Sequence, residues 1–143
     1  MSAPASNPTI VVAAVALVRD GAVLTVRKQG TARFMLVGGK LEPGESARDA
    51  AIRETLEEVG LRLREVQLLG EYESAAANEP DHRLVSTVFL AEADGEPTAA
   101  AEIAEVRWTP LDPAGLDDLA PMLEHNVLPE LRRLASAPPA QQP

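Results

Sequence analysis

Between Gly39 and Leu61 the chain reads GKLEPGESARDAAIRETLEEVGL, and few local structures accommodate that order of residues. Ser46 is a good helix N-cap, and Asp49 three residues on makes a variant capping box in which Glu or Gln is more usual. Gly60 suits the left-handed position that closes a helix. The spacing predicts about four helical turns between them, with Ile52, Leu56 and Val59 at i, i+4 and i+7 as a buried stripe. Glu54, Glu57 and Glu58 then stand on the other side as i, i+3, i+4 neighbours, where each like-charge pair costs roughly 0.2–0.5 kcal/mol. They also crowd the negative end of the helix dipole, which costs each carboxylate a further ~0.3–1 kcal/mol. A solvated helix face would place acids in the first turn and bases in the last. Here the acids cluster at the end, with Arg53 as the only base in the last two turns. A divalent cation would resolve that repulsion, because hard carboxylate oxygens are the ligands Mg2+ and Mn2+ require. Arg53 is expected to point away from the acids' centre and to hold Glu45 or Glu57 in place.

The segment before the helix supports the same site. Gly38, Gly39 and Gly44 lie close together, and Pro43 stiffens the turn. Glycine allows positive φ and close approach of the backbone to a metal or phosphate. A Gly-rich loop leading into a carboxylate helix is a stronger signal than either part alone.

The seven positions Gly39, Glu45, Arg53, Glu54, Glu57, Glu58 and Gly60 match the pattern G-x5-E-x7-R-E-U-x-E-E-x-G-U, where U is a bulky apolar residue. The second U is Leu61, and the first is Thr55, a departure that bears on packing rather than chemistry. On these residues the chain resembles the Nudix hydrolases of MutT-like type. Relatives often carry Pro-Gly-Gly before the box with a Trp two residues earlier, where this chain has Val37-Gly38-Gly39 and Phe34. The resemblance implies hydrolysis of a nucleoside diphosphate linked to another moiety, with Mg2+ or Mn2+ as cofactor. It implies Glu54, Glu57, Glu58, Glu102 and a Gly39 carbonyl as metal ligands, and Glu54, Glu57, Arg53 and Glu45 as the catalytic group. Glu54 is the leading candidate for the base, with Glu102 and Glu57 as alternatives.

Glu102 precedes Glu105-Val106-Arg107-Trp108, which looks like the segment that follows a further metal-side acid in MutT-like proteins. Glu105 and Glu79 are the alternatives to it, and Trp108 reads as core. Arg27 and Lys28, at a strand end leading toward the box, are candidates for phosphate contact, because Arg favours bidentate oxygens. Gly38, Phe34 and Asn126 are candidates for holding the rest of the substrate, beside Met122, Glu124 and His125. Asn126 offers both a donor and an acceptor, though it is equally a helix-capping residue type.

At 143 residues with no cysteine, the chain is one domain without disulfides or thiolate metal sites. Its net charge of −9 argues against nucleic-acid polymers as partners, and favours a nucleotide arriving already complexed with metal. The longest apolar run, Ile10 to Val18, is too short to span a bilayer, so a cytoplasmic protein, monomer or homodimer, is the expectation. Residues 1–8 and 135–143 read as disordered ends around a domain spanning 9–134.

Thr9 to Arg19 and Ala22 to Lys28 read as a hairpin around Asp20-Gly21. Phe34 to Val37, Leu63 to Tyr72, Arg83 to Glu92 and Glu105 to Thr109 read as strands. Leu119 to Leu134 reads as a helix interrupted near Pro129. Strands mixed with two helices indicate an α+β arrangement, and the resemblance implies the Nudix α/β/α sandwich with a mixed central sheet. The substrate expectation is a nucleoside triphosphate, oxidised forms such as 8-oxo-dGTP included, cleaved to monophosphate and pyrophosphate. ADP-ribose or a nucleotide sugar is the alternative, and a non-catalytic nucleotide-binding regulator is the alternative of a different class.

Overall fold

The computed structural model describes residues 9–75 and 81–136. Two Val- and Leu-rich segments, β1 (Thr9–Arg19) and β2 (Ala22–Lys28), fold back on each other at Asp20 and Gly21. Both turn residues have positive φ, 49° and 78°, as a two-residue hairpin turn matched to strand twist requires. The remaining strands are β3 (Met35–Lys40), β4 (Arg64–Ala75), β5 (Arg83–Glu92) and β6 (Ile103–Pro110). They form one six-stranded sheet in the order β4-β5-β1-β3-β2-β6. The β1–β5 pair is parallel, running from Thr9 opposite Arg83 to Leu17 opposite Ala91, and the other pairs are antiparallel. The sheet is therefore mixed.

Each face of the sheet carries its own core, because β1 is apolar at consecutive positions. Ala13, Val15 and Leu17 pack with helix α1 (Ala47–Val59), while Ala14 and Ala16 pack with the C-terminal helical segment. This is the expected α/β/α sandwich. Among the described residues no helix is long and apolar enough to cross a membrane.

Several elements differ from their sequence reading. Gly38 and Gly39 belong to β3 rather than to a loop, lying opposite Ala14 and Ala13 of β1. β4 continues to Ala75, and β6 begins at Ile103. The last helical segment begins at Pro121 and passes through a single π turn, Leu123–Val127, before α2 (Leu128–Ser136). Pro129 has no N–H to donate and its ring crowds the carbonyl four residues back, so the preceding turn widens and the Leu128 N–H reaches Leu123 O. Ala135 and Ser136, expected in a tail, are helical. Residues 1–8, 76–80 (with Glu79) and 137–143 lie outside the described residues.

The helix boundaries agree with the sequence, but its rotation does not. Ser46 Oγ accepts from Asp49 N at 3.1 Å, and Gly60, at φ 75°, donates to Leu56 O at 3.1 Å. Leu56, expected inside, is 40% exposed, and Ile52 is only half-buried. The buried residues are Ala50, Ala51, Thr55, Glu58 and Val59. Small residues let the helix lie close to the glycines of β3, and that contact turns Glu58 toward the sheet. Thr55 stands where a bulky apolar residue is usual. Its hydroxyl donates to Ala51 O at 2.7 Å, so a fully buried polar atom is satisfied within the helix.

Candidate active site

Arg53 is the hub of the carboxylate cluster and does not point away from it. Its guanidinium forks onto Glu45, with Nε donating to Oε2 at 2.8 Å and Nη2 to Oε1 at 2.9 Å. Nη1 reaches Glu54 Oε2 at 3.0 Å and Glu57 Oε2 at 3.3 Å. Nη2 also donates to Lys40 O at 3.2 Å, tying the helix to the end of β3. A planar five-donor group on a rigid helix suits this task, and a lysine could not reproduce the fork. Hydrogen bonds from Arg53, then from the Glu42 N–H, hold the Glu45 carboxyl down to about 2. The same bonds, Glu45 first, raise the Arg53 pKa.

Glu58 is the opposite case. It is 2% exposed, and burial pushes its carboxyl up to about 7. Lys28 and the Gly38 N–H oppose that rise, while the nearby charges of Glu54 and Glu102 add to it. Gly38 N lies 3.3 Å from Glu58 Oε1, and Lys28 Nζ lies 3.9 Å from Glu58 Oε2 and 3.5 Å from Glu102 Oε1.

The turn carrying Glu102 is anchored by its backbone. Ala100 N donates to Glu58 O, Thr98 N to Val59 O, and Gln29 N to Glu102 O, at 2.8–3.1 Å. The first two use carbonyls that the end of α1 leaves free, and the third ties the turn to the end of β2. The Glu102 side chain is 67% exposed and faces the same opening as Lys28 and Glu54. A register shift in the β2–β6 pairing falls between Arg27 and Lys28, and such a bulge re-aims side chains. Lys28 turns to the acids. Arg27 turns to Glu105, with Nη2 at 2.8 Å, and to Thr31 O, with Nη1 also at 2.8 Å.

A cavity of about 610 Å³ runs from this cluster across the sheet. Lys28, Gly38, Gly39, Lys40, Glu54 and Glu102 border one end, while the other is apolar, between β1, β5 and the π turn. Gly39 is needed for the close fit: a Cβ there would lie 2.6 Å from Glu54 Cδ. The structure therefore brings together Glu45, Arg53, Glu54, Glu57, Glu58, Glu102, Lys28, Gly38 and Gly39. It does not bring Arg27, Phe34 or Asn126 to the cavity wall. Phe34 is buried, with the Arg107 guanidinium 3.7 Å above its ring and Asp118 held by the same arginine at 2.9 and 3.0 Å. Met122 and, from the π turn, Leu123 and Val127 line the cavity, and Asn126 does not. Lys40 and Ser86 border the cavity as well and escaped the sequence reading. Lys40 lies beside the glycines and was within reach of it, whereas a lone serine in a strand carries no such signal.

A family model described as the NUDIX domain matches residues 8–131. The chain belongs to the Nudix family. One relative, named "Putative 8-oxo-dGTP diphosphatase" in Bacillus subtilis (strain 168), is 32% identical over 60% of this chain and 56% of its own length. Another, an ADP-ribose pyrophosphatase of Methanocaldococcus jannaschii, is 31% identical over 61% of this chain and 53% of its own. The chain thus spans little more than half the length of these curated relatives. The solution structure of the E. coli ORF135 protein is similar throughout, with a TM-score of 0.73 and 26% identity over 94% of this chain and 96% of that one.

Nudix hydrolases generally depend on a divalent cation. The donor chemistry of this Nudix domain fits one: carboxylate oxygens, a buried Glu58 that is costly to ionise alone, and a β3 backbone with no Cβ to block approach at Gly39. Among the described residues no three acidic or histidine side chains yet form a ligand set. Arg53 and Lys28 hold the carboxylates as ion pairs instead.

Proposed function

We propose that this Nudix domain is a metal-dependent pyrophosphohydrolase that cleaves a nucleoside triphosphate, oxidised forms included, to the monophosphate and pyrophosphate. The observation that carries this reading is the two-ended cavity, with carboxylates, lysines and glycine backbone at one end and an apolar compartment at the other. Phosphates belong at the first end and the heterocycle at the second. The B. subtilis relative's name supports a triphosphate, and the M. jannaschii relative's name keeps ADP-ribose as the second reading.

Glu54, Glu57 and Glu58, with Glu102 and the Gly39 carbonyl, would hold Mg2+ or Mn2+, which neutralises the diphosphate and makes an attacking water more acidic. To hold the ion, Glu54 and Glu57 would have to give up their Arg53 hydrogen bonds, while Glu45 would keep Arg53 in place. Lys28 and Lys40 supply positive charge toward the phosphate oxygens. Glu54 takes the proton of the water as its oxygen bonds to phosphorus in line with the departing pyrophosphate oxygen. The test is a hydrolysis screen over nucleoside triphosphates, nucleotide sugars and dinucleoside polyphosphates, with Mg2+ and with excess EDTA. The expected result is metal-dependent release of pyrophosphate from triphosphates. Turnover undiminished in EDTA would refute the mechanism, and exclusive cleavage of ADP-ribose would move the substrate to the second reading.

A further inference from the structure

One group in the apolar end of the cavity has no task in this scheme. The floor there is formed by two paired strands, with Ile10 and Val12 of β1 opposite Leu84 and Ser86 of β5. Alternation places these four side chains on the same face. Ser86 is 2% exposed, and among the described residues its hydroxyl makes no hydrogen bond. Yet no fully enclosed side-chain oxygen or nitrogen there lacks a partner. Both statements hold only if Ser86 Oγ opens onto the cavity. A hydroxyl buried among aliphatic side chains without a partner is a cost that alanine would avoid.

The neighbouring backbone offers little to a ligand. β5 is paired on both sides, by β1 and β4, and β1 is paired by β5 and β3. Ala120, on the wall, donates its N–H to Phe34 O and accepts from Glu124 N. The other uncharged polar side chains at the cavity, Gln29 and Thr31, adjoin Lys28 at the charged end, and the Thr31 hydroxyl is spent on Lys28 O.

We propose that Ser86 is the heterocycle-anchoring residue of this pocket, donating or accepting the single side-chain hydrogen bond made from its apolar end to the substrate's uncharged heterocycle. A hydroxyl rotates to meet either a carbonyl or an N–H edge. The pocket therefore holds the heterocycle mainly by apolar contact and discriminates weakly among bases, unlike sites with several fixed polar readers. The proposal rests on the reading above, in which the phosphates occupy the Lys28 and Glu54 end.

The test combines calorimetric binding of adenosine, guanosine, cytidine and uridine monophosphates, with Mg2+ present, and steady-state hydrolysis of the matching triphosphates and of inorganic triphosphate. Wild-type Kd values for the four monophosphates should fall within about tenfold of one another. Ser86→Ala should weaken each by about 3- to 10-fold, the range of one net hydrogen bond. It should raise KM for the nucleotides by the same factor at unchanged kcat, and leave cleavage of inorganic triphosphate, which has no heterocycle, as it was. A melting temperature at or above the wild-type value would show that the variant folds. A spread wider than tenfold, unchanged Kd values in the variant, or no binding of any monophosphate up to about 10 mM would overturn the proposal. If no triphosphate is hydrolysed, the proposed reaction fails, while calorimetry still decides the role of Ser86.

Discussion

Glu58→Gln should stabilise the metal-free protein, and the gain should depend on pH. Glu58 titrates at about 7 in the folded protein against an ordinary 4.5, chiefly through burial. Between those two values the native state keeps a proton that the unfolded chain releases, so stability falls as pH rises through this window. Above pH 7 the full loss applies. At about 1.4 kcal/mol per tenfold in proton affinity, it amounts to about 3 kcal/mol. Glutamine keeps an oxygen for the Gly38 N–H, and Lys28 keeps Glu102, so the substitution removes the buried charge and little else. The low carboxyl of Glu45 does not interfere, because its stabilisation is lost only as pH falls from 4.5 toward 2. Urea unfolding in EDTA, followed by the fluorescence of Trp108, the single tryptophan, checks the reasoning. At pH 8 the variant's midpoint should lie about 1–3 M above wild type, taking ~1–3 kcal/mol per M as the urea slope. At pH 5 the difference should shrink below about a third of that. Equal differences at the two pH values would refute the assignment of a buried, proton-binding Glu58.

Gly39→Ala should keep the fold and lose at least about tenfold in turnover, because its Cβ displaces the flexible end of Glu54. Circular dichroism and hydrolysis on one preparation check both halves. Gly38→Ala should instead unfold or fail to accumulate, since its Cβ meets the β1 backbone at Ala13 O and, at 2.7 Å, Ala14 Cα. A soluble variant with wild-type melting would contradict that packing. Glu54→Gln should leave less than about a tenth of the wild-type rate at saturating Mg2+ with the fold intact, as loss of a ligand charge and a base predicts. Glu102→Gln should lower kcat more than it raises KM if its turn serves the metal side. Change in either by less than about twofold would make it an ordinary surface acid.

The parts legible in the sequence are those decided locally. Ser46 and Gly60 mark the ends of α1 because capping involves only neighbouring residues, and Asp20-Gly21 marks the hairpin for the same reason. The box likewise names most of the carboxylates around Arg53. The rotation of α1 was not legible, because an apolar stripe weighs hydrophobicity, whereas close approach to Gly38 and Gly39 favours Ala51 and Thr55 and carries Glu58 inward. Gly38 and Gly39 read as a loop because glycine has no side chain to alternate, and only the pairing with Ala13 and Ala14 places them in the sheet. Phe34 read as a ligand contact because an exposed aromatic and one beneath Arg107 are spelled alike. Ser86 acquires meaning only once β5 and the π turn enclose it.

The parallel pairing of β1 with β5 also sets an order of events during folding. Thr9 cannot meet Arg83 until nearly all the intervening chain exists, and closing a loop of roughly 70 residues costs about 4 kcal/mol in entropy. The β1–β2 hairpin and the helix caps can form while the chain is still emerging. Alone, however, the helix crowds its acids at the wrong end of its dipole, so it gains lasting order only against the finished sheet. The charged cluster is thus a late product of folding, and a chain interrupted before Arg83 would carry the entire signature motif without the scaffold that gives it shape.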